Sequence, residues 1–260
     1  MRRARMKLYG VFIGIDKYLD PKIHSLKYAK FDAQQFYGLF EQKLSSTDRT
    51  LWLLIDQQAT KLQIEKTIGE SVSRLAREDD IVLLHFSGHG SPEAHGSIDT
   101  VSRYLIAYDT EYGSIFATGI DMGQELKILF QRIRSKLVFF FIDSCFSGLA
   151  GGRTFEGPGI RRALGYRGTI SLQKLNLGEG RLVMAACDDN QVAREDAKLG
   201  HGIFTYYLLQ SLTNPEYISE TISIGQVYDQ VYLNVKHHTG GRQTPILNGR
   251  NKFAQMPMLV

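Results

Sequence analysis

"LVFFFIDSCFSG", residues 137–148, sets six uninterrupted apolar residues, Leu137 to Ile142, directly before Asp143, Ser144 and Cys145. An apolar run without alternation, bounded by polar residues, reads as a strand buried on both faces, which is the habit of parallel sheets covered by helices. In open parallel sheets, ligands sit beyond the carboxyl ends of the strands. The run therefore delivers an acid and a thiol to the edge where chemistry is done.

Working outward, other apolar runs alternate with helical spacing. Leu8 to Ile15, Leu51 to Ile55, Ile81 to Phe86 and Arg181 to Ala186 read as strands, with Tyr104 to Ala107 as a short further one. Leu26, Ala29, Ala33, Phe36 and Phe40 recur at helix spacing, as do Ile64, Ile68, Val72 and Leu75 behind a Thr60–Gln63 capping box. Met122, Leu126, Leu129 and Ile133 line another helix, and Phe204 to Leu212 and Val227 to Val235 two more. The expectation is an α/β fold with a mostly parallel central sheet and helices on both faces. Residues 149–180 break the rhythm, with eight glycines in 32 positions and Arg153, Arg161, Arg162 and Arg167 among them. A segment that long without periodicity reads as a functional loop or a linker.

The bulk numbers suit this fold. The 260 residues are enough for a large core, and 43% hydrophobic with 22% charged content is ordinary for a globular chain. No apolar run approaches the roughly 20 residues of a membrane helix. The basic start, Arg2 to Lys7, leads into an apolar stretch broken by Asp16, which argues against a signal peptide. Two cysteines are too few for a disulfide framework and point to a reducing, cytoplasmic setting. A formal charge of +4, scattered and without interleaved aromatics, gives no footprint for nucleic acid.

Two strands end in reactive groups. "IVLLHFSGHG", residues 81–90, carries Ser87, Gly88, His89 and Gly90 past its apolar part, and Cys145 stands three residues beyond Ile142. If the strands are neighbours, imidazole and thiol meet at one edge. A free thiol near pKa 8.5 is only a few per cent thiolate at neutral pH, so a base beside it matters. The backbone N–H groups of Gly90 and Cys145 would form a two-donor hole for an oxyanion. Taken alone, a cysteine after a strand is more often a small buried hydrophobe, and a histidine in a glycine-rich loop is usually solvated. His85, inside its strand, reads as a satisfied core or interface histidine. His24, His95, His201, His237 and His238 have no comparable context, and Cys187 is read as structural.

"HFSGHG" and "DSCFSG" together resemble the motifs of caspase-like cysteine peptidases (clan CD, family C14). The likeness is above all to the bacterial and plant-type metacaspase and orthocaspase branch, whose usual forms are SGHG and D-x-C-x-S-G. The separation of 56 residues between His89 and Cys145 agrees with the spacing of about 50 in caspases. "YGVFIGIDKY" and "LKYAKFDAQQF" resemble the family's first strand and helix, "HGIFTYYLL" its G-x-F-T helix, and "GRQTPIL" its closing segment. The likeness runs from about Leu8 to Leu247.

The resemblance implies a caspase-like three-layer sandwich and a single catalytic domain over residues 1–260. Its parts would be a large-subunit-like part at about 7–150, the Gly/Arg-rich loop at 151–180, and a small-subunit-like part at 181–250. It implies His89 as general acid/base, Cys145 as nucleophile, no obligatory acidic third member such as Asp16 or Asp109, and Asp32, Ser87 and Asp143 as the pocket for the residue before the scissile bond. Two acids there would favour Arg or Lys and repel the aspartate that true caspases prefer. The substrates would be proteins or peptides carrying a basic residue at that place. Nucleic acid and membrane are not expected as partners, and monomer and dimer both stay open. Calcium-dependent relatives carry aspartates after the cysteine, whereas Phe146 to Gly152 holds no acid and Asp109 and Asp121 stand isolated. The expectation is therefore no metal site and no required cofactor. Arg153, Arg161, Arg162 and Arg167 are candidate points of self-cleavage. The competing readings are a catalytically silent scaffold of the same fold and a basic binding module.

Overall fold

The computed structural model describes residues 6–94, 101–146, 152–153, 179–188, 191–214, 221–249 and 254–257. Its central sheet has the order β12-β8-β7-β3-β1-β2: β1 is Leu8–Gly14, β2 Arg49–Ile55, β3 Ile81–Ser87, β7 Leu137–Asp143, β8 Arg181–Ala185 and β12 Ile246–Asn248. All neighbours run parallel except β12, an antiparallel edge strand that the sequence pattern did not announce. The β1, β3 and β7 strands are the apolar runs themselves, buried along almost their whole length.

Alternation along these strands divides the core in two. Val82, Leu84, Phe86, Val138, Phe140 and Ile142 meet the helical segments Lys61–Lys66 and Glu125–Arg132 through Ile64, Leu126 and Phe130. Leu83, Phe139 and Phe141 face helices Ala29–Lys43, Ile203–Leu212 and Ile224–His238 through Phe36, Phe40, Leu208 and Val231. Helices therefore cover both faces, as the apolar runs required.

Two expectations are refined. Thr60 caps its helix by accepting from Gln63 N, but a π-helical stretch at Thr67–Val72 breaks the expected continuous helix before a last turn at Ser73–Leu75. The strand foreseen at 104–107 is β5, Val101–Leu105, and it lies outside the central sheet. With β4, Gly90–Ala94, and β6, Ile120–Asp121, it forms a small antiparallel sheet tethered by Ile106 N donating to His89 O. Two short pairs complete the described strands, β9 (Glu195–Asp196) with β10 (His201–Gly202), and β11 (Thr221–Ser223) with β13 (Gln255–Pro257).

Among the described residues no helix is long and apolar enough to cross a membrane.

Candidate active site

Register brings the motifs together. Gly14, Ser87 and Asp143 are aligned partners at the carboxyl ends of β1, β3 and β7. His89 lies two residues past Ser87, and Cys145 two past Asp143. Gly88 N donates to Asp143 O at 3.3 Å, so the ladder continues one step beyond the strands. Asp32 arrives from helix Ala29–Lys43, whose start is fixed by Asp16 accepting from Ala29 N (2.8 Å) and Lys30 N (3.2 Å). Asp16 is thus a helix cap, and Asp109 and Asp121 likewise accept backbone N–H groups of Lys61, and of Gly123 and Gln124. Among the described residues no group of three or more His, Cys, Asp or Glu side chains could hold a metal.

Asp32, Ser87 and Asp143 are fully buried, and so is the side chain that stands among them, Arg153 of the same chain. Its Nη2 lies 2.6 Å from Asp32 Oδ2 and 3.4 Å from Glu195 Oε1, and its Nη1 3.1 Å from Asp143 Oδ2. Nη1 also donates to Ser87 Oγ and, at 3.1 Å, to Asp143 O. Burial works against the guanidinium charge, but Asp143, Asp32 and Glu195 outweigh it and raise its pKa. Burial, helped by the nearby Asp32 charge, pushes the Asp143 carboxyl up to about 6, with Arg153 and Thr205 opposing.

The backbone of Arg153 is held as firmly as its side chain. Its carbonyl oxygen accepts from Gly90 N at 3.0 Å and Cys145 N at 3.3 Å, while its own N–H donates to Ala193 O at 3.0 Å. The two donors foreseen as an oxyanion hole thus converge on the carbonyl of the residue that fills the acidic pocket. Arg161, Arg162 and Arg167 lie outside the described residues.

Several partners were not legible as site residues. His201, set aside above, places Nδ1 2.8 Å from Asp32 Oδ1. His24, also set aside, accepts from His89 Nε2 at 2.8 Å through its backbone carbonyl, and its ring packs edge-on against the His89 ring with centroids 4.3 Å apart. Tyr18 Oη accepts from His89 N at 2.8 Å. Burial lowers the His89 pKa to about 3, the His24 charge adding to the effect, so the imidazole is neutral at ordinary pH. Cys187 stays in the buried core, in the same cluster as Cys145. Its thiol donates to Gln191 O at 3.4 Å, and the Cys145 thiol, followed by burial, pushes its pKa well up. Cys145 Sγ donates to Gln191 O at 2.9 Å.

The G-x-F-T stretch acquires a physical account. Gly202 and Thr205 belong to the N-terminal end of helix Ile203–Leu212, where free backbone N–H groups and the helix dipole favour anions. Gly202 N donates to both oxygens of Asp32 (3.2 Å each), and Thr205 N and Oγ1 donate to Asp143 Oδ2 at 3.1 and 2.7 Å. A Cβ at position 202 would fall 2.4 Å from Asp143 Oδ2 and 2.6 Å from Arg153 Nη2, so the pocket excludes any side chain there. "GRQTPIL" braces the opposite wall: Gln243 accepts from Arg194 N and donates to Ala186 O, and Thr244 donates to Gln191 Oε1.

The sequence pattern of the caspase domain matches residues 8–259. The chain belongs to the caspase-domain family. Among solved structures, protein GSU0716 from Geobacter sulfurreducens is similar in fold, with a TM-score of 0.69 at 20% identity, covering 97% of this chain and 98% of that one. At that identity the likeness speaks for the caspase fold alone. No curated protein matches the chain.

Proposed function

We propose that this caspase-domain chain is a cysteine endopeptidase that cuts on the carboxyl side of arginine, and that the Arg153–Thr154 bond is its first substrate. One observation carries the reading. A single residue of the chain has its guanidinium among Asp32, Ser87 and Asp143 while its carbonyl oxygen accepts from Gly90 N and Cys145 N. Recognition and activation of one peptide bond are thereby aligned.

In this account neutral His89 accepts the Cys145 thiol proton, and Sγ attacks the carbonyl carbon of the arginine. The developing oxyanion takes the Gly90 and Cys145 N–H bonds. Collapse expels the amine, which receives the proton from His89, and leaves a thioester. Water, deprotonated by His89, then hydrolyses the thioester and restores the thiol. The His24 carbonyl orients the imidazole through Nε2. Thiol, imidazole and two N–H groups suffice, so the scheme calls for no metal or cofactor.

Arginine suits the pocket better than lysine, because a planar fork reaches Asp32 and Asp143 at once whereas an ammonium is a point charge. Turnover of matched peptides ending in Arg, Lys or Asp tests the reading. Arg should exceed Lys by about tenfold or more, and Asp should not be cleaved. A better Asp substrate would refute the pocket assignment.

A further inference from the structure

We infer that the subsite for the residue preceding the scissile arginine accepts glycine alone, so that the cleaved sequence is Gly-Arg. The inference rests on the reading that Arg153 occupies the substrate arginine position, and it extends that reading by one residue. Two backbone bonds pin the arginine: its N–H to Ala193 O, and its C=O to Gly90 N and Cys145 N. With both ends of the arginine fixed, the Cα before it is carried close to the wall formed by Val192 and Ala193.

Gly152 stands at that place with φ +70°, in the left-handed region that disfavours side chains. An added Cβ would lie 2.2 Å from Val192 Cγ1 and 2.3 Å from Ala193 O. Neither neighbour yields easily. Val192 is buried in the core that faces helix Ile203–Leu212. Ala193 O already accepts from Arg153 N, and the adjoining Arg194 N is held by Gln243. Conformation and contact therefore select against a side chain independently. The sequence of the loop agrees, since Gly152 directly precedes Arg153, whereas Ile160, Arg161 and Tyr166 precede the other three arginines.

The test is the turnover of three fluorogenic tripeptides by the full chain, with Gly-Gly-Arg, Gly-Ala-Arg and Gly-Leu-Arg before the reporter amine. The expected result is a fall in kcat/KM of about 100-fold from glycine to alanine, the order given by overpacking and a left-handed side chain together, and a larger fall for leucine. Val192→Ala should narrow the glycine-to-alanine ratio without abolishing it, because Ala193 O remains. Alanine or leucine peptides within threefold of the glycine peptide would overturn the subsite while leaving arginine specificity intact. Failure of all three, with an active-site label also unreacted, would overturn the peptidase reading and the subsite with it.

Discussion

Arg153 Nη2 lies 2.6 Å from Asp32 Oδ2, and neither side chain is reached by solvent. A buried guanidinium is tolerable only with its charge matched, and two buried acids are tolerable only with a cation between them. The relation binds the loop to the pocket. In the intact chain the acids that would receive a substrate are neutralised from within.

In a Cys145→Ala background, which removes self-cleavage, Arg153→Ala should destabilise the chain by about 3–5 kcal/mol, the usual cost of leaving one side of a buried ion pair unmatched. Denaturant unfolding of the single and double variants measures it. Equal midpoints would show that Arg153 contributes nothing to the folded state.

Asp143→Asn should lower kcat/KM for arginine peptides by at least about 100-fold, because a buried hydrogen-bonded charge pair loses one partner. Asp32→Asn should do likewise. Retention of activity in both would place substrate recognition elsewhere.

Activity should also decline as pH falls through about 6. The Asp143 pKa is raised, so its charge is present above that value and lost below it. The Asp143→Asn variant should lack this limb. An unchanged limb in the variant would assign the titration to another group.

How much of this was legible in sequence follows from what each residue does. Apolar runs without alternation can be buried only between helices, so β1, β3 and β7 and the two covered faces were readable, and with them the edge carrying His89 and Cys145. Edge strand β12 is three residues long and half-exposed, too short to leave a period. His24 contributes a carbonyl, which any residue possesses, so no side-chain pattern could signal it. Glu195 and His201 come from a short antiparallel pair far along the chain, and their approach to Arg153 and Asp32 depends on tertiary packing. The arginines of the loop were visible as a group, but selecting Arg153 from them required its seat.

His85 should shape acid stability. It stacks on Phe36 with ring centroids 4.7 Å apart, its Nε2 lies 3.3 Å from Thr205 Oγ1, and burial lowers its pKa to about 3. Between that value and the ordinary 6.5, the unfolded chain binds a proton that the folded chain does not, so stability falls as pH falls through this window. His85→Phe should flatten that slope by up to about 1.4 kcal/mol per pH unit. An identical acid-unfolding profile would show that His85 is charged in the folded state.

The most direct measurement is intact-mass and N-terminal sequencing of the purified wild-type chain beside Cys145→Ala over time. The account predicts a fragment of the wild type beginning at Thr154, and an uncut Cys145→Ala chain. Fragments in both samples, or a wild-type chain that remains whole or is cut only at another residue, would contradict it.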